Sequence, residues 1–473
     1  MKKNPNYRVA TPIFLWGLAV SAVIVGEFAG WNEGLNQGGF GGMLAASLII
    51  SLMFGCLSAS YAELATAMPF SGGAFGYSRA AFNPSVAFIT GVAQIIEYVA
   101  TLATVLASIQ ITTQHLFESY YGIHLPMLGT WIFYIFIFAF LNIWDSRLFY
   151  KSALALSIFS LGALVFFFIK AIPEFKMDLL LNIPYVEGGT KWLPKGIVGV
   201  AWCLPFAIWL YVVLEIIALA PEDTANPKAV IPKAFYASYA TILIFAVLVL
   251  FLIPGVGFGA IDIASRNNPY SFALEEVTMQ QLPASLFFVL IITGPLAGYH
   301  STVFAAAKVV FSLGRAGYLP RPLARMSEKR QTPHVAILAI SIAVLLILIG
   351  INEFTDSRSS VAILLNMAVL GAIISYTMTF VSYIVLSVRY PSMKRPYVSP
   401  LGVTGAMAGL IIAAITTVLM FTHTVFVTAL GICVLVMVLC LVYFVIAGKK
   451  GVSVEAPEEA FARHLQNSHA TEE

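Results

Sequence analysis

The stretch AVIVGEFAGWNEGL, Ala22 to Leu35, decides how this chain is read. It lies inside an apolar run long enough to cross a bilayer, yet Gly26, Gly30 and Gly34 interrupt it and Glu27 places a carboxylate in its middle. A charged side chain at mid-bilayer costs about 2.5 to 3.5 kcal/mol on insertion scales, so such residues mark pathways and binding sites. The competing reading is local. The glycines then serve only close helix packing, and the carboxylate is protonated or structurally paired.

Composition supports a membrane setting for this run. Of 473 residues, 59% are hydrophobic and 10% are charged, against about 25% charged in soluble domains. With spans of about 20 residues, twelve segments emerge, near residues 11–38, 39–66, 85–115, 126–144, 148–171, 194–220, 233–256, 282–314, 334–351, 359–389, 402–421 and 423–447. The basic start, Met1 to Arg8, precedes a segment too long for a signal peptide, so it reads as a retained first helix. Cys56, Cys203, Cys433 and Cys440 fall in apolar runs without metal-ligand spacing and read as core residues.

Twelve spans put both ends of the chain on one side. Nineteen Lys and Arg residues, Lys2, Lys3, Arg8, Arg79, Arg315 and Arg395 among them, then share that side. The other holds six, Lys170, Lys176, Lys191, Lys195, Arg266 and Arg358, with Lys308 inside a helix. The positive-inside rule makes the terminal side cytoplasmic, in an inner-membrane, multi-pass protein. The net charge of +3 describes loop placement and gives no reason to expect nucleic acid as a partner. The polar tail from Gly451 to Glu473 is expected to be disordered.

Segment six carries Pro205 and stops at Pro221. Together with segment one, it gives a pair of interrupted spans five segments apart, the pattern of a transporter built from two inverted repeats. The expected division is an N-terminus over 1–10, a first repeat over 11–171, a second over 194–389, two further helices over 402–447 and a tail over 448–473. Glu97 and Glu215 add two more carboxylates within spans, whereas Glu63, Glu222 and Asp223 sit at span ends and read as gate or loop partners of basic residues.

Four ordered stretches carry a family resemblance. They are YAELATAMPFSGGAFGYSRAAFNPSVAFITG (61–91), LEIIALAPEDTANPKAVIPKA (214–234), FSLGRAGYLPRPLARMSEKRQTP (311–333) and SYIVLSVRYPSMKRPYVSPLG (382–402). They resemble motifs of the amino acid, polyamine and organocation permeases from about residue 10 to 447. GEFAGWNEGLNQGGFGGML (26–44), IIEYVATLA (95–103) and NIWDSRLFYKSALAL (142–156) look most like the ethanolamine permease branch.

The resemblance implies an all-α fold of twelve transmembrane helices, a five-plus-five inverted repeat of the LeuT type with helices one and six broken, and two extra C-terminal helices. Substrate is expected at mid-membrane between the broken helices and helices three, eight and ten. In amino acid carriers of this superfamily the first break reads Gly-Ser-Gly and its backbone N–H groups hold a carboxylate; here Gly26, Glu27 and Phe28 take those places. Half-helix starts attract anions. A carboxylate there reverses the sign and suits a small organic amine, ethanolamine first.

Roles follow from this alignment. Glu27 is expected to meet the ammonium, with Glu97 beside it and one of the two holding a proton. Gly26, Phe28 and Gly30 line the break, and Trp209 and Tyr211 form an aromatic wall or lid, against the plainer reading of a packing stripe. Glu215 is expected to couple substrate to helix movement. His300 and Ser301 are placed on helix eight, His300 as a proton relay or a hydrogen-bonded structural group. Lys308 pairs with an inner-gate acid or snorkels. No lysine lies deep in helix five, where Ser157 and Ser160 stand, so the coupling ion stays open between H+ and Na+. No cofactor or metal is expected.

Other classes find less support. No nucleophile motif, P-loop or metal-spaced cluster marks an enzyme. A channel does not need interrupted helices, and a sensor lacks a signalling domain here. An amino acid or polyamine exchanger or proton symporter is the alternative within the transporter class.

Overall fold

The computed structural model describes residues 8–279, 281–355 and 357–472, with side chains omitted at 357, 358 and 468–472. Lys2 and Lys3, the first seven residues of the expected N-terminus, and the Arg358 side chain lie outside the described residues. The described chain is all helical. Among the described residues ten helices are long and apolar enough to cross a membrane, and Pro12–Phe28 and Gly196–Leu210 are shorter apolar segments.

These two short segments are the interrupted ones. The first runs as Pro12–Val23 and Val25–Phe28, opened by a proline in its first turn, and ends at Ala29 in extended conformation. Gly30 follows at φ 100°, a left-handed value open to glycine at no steric cost. The chain then enters Glu33–Ala67, a 35-residue helix redirected at Gly39, φ 67°. The expected boundary between segments one and two at residues 38 and 39 is therefore a kink inside one helix, because only glycine turns the chain this way without breaking the hydrogen-bond ladder for long.

The second interruption is more severe. Gly196–Ala207 gives way to a single 3-10 turn at Ile208–Leu210, and the chain resumes as 3-10 turns over Leu214–Leu219. Between them Val213 takes φ 72°. A β-branched residue in this region is strained, a state that costs about 1 to 3 kcal/mol and persists only where surroundings enforce it.

The long helices surround these breaks. Pro84–Tyr121 packs closely on both Ala284–Arg315 and Ser357–Arg389, and Gly371 lets it approach the latter so nearly that a methyl there would lie 2.6 Å from the Glu97 nitrogen. Lipid-facing surfaces are apolar, as at Phe133, Phe136, Phe159 and Ile169. Cys56, Cys203 and Cys433 are buried and Cys440 is half-buried, all as free thiols.

The tail corrects the expectation of disorder. Pro457–Glu472 is a helix that docks on Gly73–Ala81. Glu459 accepts from Arg79 Nε at 2.8 Å and pairs with Arg79 Nη2 at 2.7 Å, and it also accepts from Tyr318 at 2.5 Å. Glu458 meets Arg315 at 2.5 Å, and both glutamates are fully buried. The polar composition that suggested a free tail is the complement of buried arginines on the membrane-embedded body, partners invisible in the tail itself.

Breaking a buried ion pair costs about 3 to 5 kcal/mol, whereas an exposed pair contributes about 1 kcal/mol or less. Arg79→Gln is therefore expected to lower the thermal midpoint of the solubilised protein clearly. Arg266→Gln, which breaks the exposed pair with Asp262 at 2.9 Å, should leave that midpoint nearly unchanged.

Candidate functional site

The two interruptions meet. A methyl on Gly26 would lie 2.2 Å from the Trp209 carbonyl oxygen, and one on Gly30 would lie 2.3 Å from the Trp209 indole. Trp209 thus crosses the first break and seats on two glycines. It also lines a cavity with Phe28, Gly30, Thr104, Tyr270 and Leu365, reached past Glu33, Arg266 and Asn267 on the face opposite the chain termini. Sequence reading did not single out Asn32, whose side chain holds this break. Its Oδ1 accepts from Gly30 N at 3.3 Å, and its Nδ2 donates to the Ile263 and Arg266 carbonyls, each at 2.8 Å. An asparagine two residues after the glycine of an intramembrane break was the available signal, since its amide can both donate and accept.

Phe28 finds space on another helix. Its ring packs 4.4 Å from that of Tyr270, centroid to centroid, and against Gly294; Val25 packs likewise on Gly298, one turn on. Phe28 and Val25 of the first break are thus matched by glycines at i and i+4 of Ala284–Arg315.

Glu27 lies beyond the cavity lining, 1% exposed. Neither carboxyl oxygen has a hydrogen-bond partner among the described residues. Its carboxyl is near the Tyr211 phenol, which itself bonds Ser47 at 2.9 Å and packs on Phe54. Trp209 and Tyr211 therefore do not form one wall: Trp209 faces the cavity and Tyr211 points into the packing around Glu33–Ala67.

Glu97 pairs with Glu215 and not with Glu27. Tyr376 lies 3.0 Å from an oxygen of each. Tyr98 donates to Glu215 at 2.7 Å, and Ser375 donates to Glu97 at 3.2 Å. Tyr98, Ser375 and Tyr376 were not named from sequence; Tyr98 follows Glu97 directly, whereas the other two come from a helix nearly 280 positions away.

His300 is remote from both carboxylate sites. Asn142 Nδ2 approaches its Nδ1 at 3.1 Å, and Ser152 Oγ lies 2.8 Å from its Nε2. Ser152 already donates to the Phe149 carbonyl, so the ring donates from Nε2, accepts at Nδ1 and is satisfied as the neutral form. Ser301 contacts the Ser21 hydroxyl of the first interrupted segment. Ser157 and Ser160 donate to carbonyls of their own helix, those of Leu154 and Leu156.

The terminal face is closed by charge. Buried Lys308 pairs with Asp223 at 3.1 Å and donates to Ser71 at 3.4 Å, and Tyr150 donates to the same aspartate at 2.8 Å. Arg315 bridges Glu222, at 2.9 Å, to Glu458. Burial opposes ionisation of Glu222, but Arg315 and Lys308 outweigh it and hold its carboxyl below the usual value. Glu63 accepts from Tyr383, Arg395 and the Ser399 amide, each at 2.7 Å.

A broken-helix pair, a cavity open to one face and ion pairs across the other describe a carrier. The sequence matches the amino acid permease family over residues 15–447. The chain belongs to that family. Among its relatives, an uncharacterized transporter of Rhizobium meliloti is 24% identical over 404 residues, covering 83% of this chain and 82% of the relative. A probable amino-acid permease of Schizosaccharomyces pombe is 24% identical over 453 residues, covering 89% and 75%. A branched-chain amino acid permease of Bacillus subtilis is 25% identical over 412 residues, covering 81% and 82%. The protein is a membrane transporter and not an enzyme.

A methyl on Gly294 would come within 2.4 Å of the Phe28 ring. Gly294→Ala should destabilise the fold by about 1 to 3 kcal/mol through overpacking. Phe28→Leu in the same chain should recover part of that loss, and a double-mutant cycle on thermal stability should show the coupling expected of touching residues.

Proposed function

We propose that this permease is a secondary transporter for a small organic amine without a carboxylate, ethanolamine first. It works by alternating access on a twelve-span, five-plus-five inverted-repeat frame in the inner membrane, with both termini in the cytoplasm. The observation that carries the substrate class is Glu27, a buried carboxyl at the first break with no partner among the described residues. Taking an ion out of water costs several kcal/mol unless it is paired. A substrate ammonium brings three N–H donors and the missing charge. An amino acid adds its own carboxylate beside Glu27, which repels it.

Trp209 fits the part of a lid, because its ring lines the cavity and closes over the first break at Gly30. The charge bias toward the terminal face supports the orientation. An amino acid or polyamine exchanger or proton symporter is the second reading, favoured by the names of relatives that are amino-acid permeases.

Uptake of labelled ethanolamine into proteoliposomes, with serine, glycine, alanine and diamines as competitors, separates the two. Serine displacing ethanolamine at equal concentration overturns the first reading. Glu27→Gln keeps shape but removes charge, and a hydrogen bond to a charged group is worth about 1.5 to 3 kcal/mol, so affinity should fall about 10- to 150-fold. Wild-type affinity in that variant makes Glu27 structural. Trp209→Ala should reach the membrane normally yet bind more weakly, since a lid completes a site only when shut; normal affinity with reduced stability marks a packing residue instead.

A further inference from the structure

The Glu97 and Glu215 carboxyls lie within hydrogen-bonding reach of one another, and the Tyr376 hydroxyl is shared between them. That hydroxyl lies 3.0 Å from Glu97 Oε1 and 3.0 Å from Glu215 Oε2, and it accepts the Val213 N–H at 3.3 Å. A phenol has one proton to donate and two lone pairs with which to accept. Its single proton serves one carboxyl. The other carboxyl oxygen then faces a lone pair, which is repulsive unless that oxygen carries a proton of its own and donates it.

No neighbour relieves this. Tyr98 and Ser375 already donate to the two remaining oxygens, Glu215 Oε1 and Glu97 Oε2. The groups facing the pair are Tyr98 from its own long helix, Tyr61 from Glu33–Ala67, and Ser375, Tyr376 and Thr379 from Ser357–Arg389, with Tyr77 of Gly73–Ala81 behind Tyr61. None of these is a lysine, arginine or histidine, and buried Lys308 is engaged with Asp223. Two ionised carboxylates here leave adjacent like charges in a site 0% and 2% exposed. Such a pair cannot both ionise at ordinary cost, and its titration belongs to the pair as a whole.

We propose that Glu97 and Glu215 together hold one exchangeable proton, forming a proton-coupling site distinct from the amine site at Glu27. On release one carboxyl O–H bond breaks, its electron pair stays on oxygen, and the proton passes to water, taking the pair from charge −1 to −2. Tyr376 then loses one of its two carboxyl bonds. Because it also holds the strained Val213 amide, proton loss acts on the second helix break itself. This inference rests on the transporter reading and not on the identity of the amine.

Infrared difference spectra of the full-length protein in lipid, recorded across a pH step in H2O and D2O, test it without any substrate. Glu27→Gln serves as the background, so that a signal from Glu27 is absent. The expected result is one deuterium-sensitive carboxylic acid C=O band that disappears in Glu97→Gln and also in Glu215→Gln, since each amide supplies the bridging hydrogen. Retention of the band in both variants, or its loss in only one, overturns a shared proton. Tyr376→Phe retains both carboxyls and guards against misfolding in the Gln variants: the band should persist with a shifted pH midpoint, and an unchanged midpoint counts against the bridge. In proteoliposomes with ethanolamine as probe, an acid vesicle exterior should accelerate uptake in wild type, and Glu97→Gln should fall to the rate without a gradient. Absence of ethanolamine uptake together with the shared band overturns the substrate assignment alone.

Discussion

Backbone released from a helix in hydrocarbon has no water to bond, so an interrupted span survives only where protein encloses it. In this permease the two interrupted spans enclose each other. Trp209 presses its carbonyl on Gly26 and its ring on Gly30, an approach that a single β-carbon at either position prevents. Asn32 then takes up the freed amide of Gly30 and ties the break to the Ile263 and Arg266 carbonyls. On the other segment, the Val213 amide is received by Tyr376. The arrangement of every helix around the cavity depends on these few satisfactions.

Charge is distributed unevenly across the molecule, and that asymmetry has mechanical meaning. Near the breaks the buried ionisable groups are acids and phenols, Glu27, Glu97 and Glu215 with Tyr98 and Tyr376. At the terminal face buried acids meet buried bases, as Lys308 with Asp223 and Arg79 with Glu459. These pairs tie the helices together at the terminal face, whereas the cavity lining includes Arg266, which pairs with exposed Asp262. The present geometry is therefore that of a carrier closed on one side.

The docked tail belongs to the same closure. Arg315 is bonded at once to Glu222 of the second interrupted segment's end and to Glu458 of the tail. One guanidinium thus joins the end of that segment to the tail. Tyr318 and Arg79 converge on Glu459 in the same way.

How much of this was legible in the chain differs from residue to residue. The helical class, the membrane setting, the approximate spans and the broken character of the first and sixth segments followed from apolar runs and from the placement of glycine and proline, all local properties. So did the candidacy of Glu27, Glu97 and Glu215, because a carboxylate within an apolar run is conspicuous whatever surrounds it. Partnership was not legible. That Glu97 faces Glu215 rather than Glu27, that Tyr211 turns away from Trp209, that His300 is a satisfied brace between helices, and that Glu458 and Glu459 bury themselves against Arg315 and Arg79 all depend on helices brought together over tens to hundreds of positions. Hydrophobicity is written residue by residue along the chain, whereas a hydrogen bond or an ion pair exists only when a second group arrives within about 3 Å, and the packing of whole helices decides that arrival.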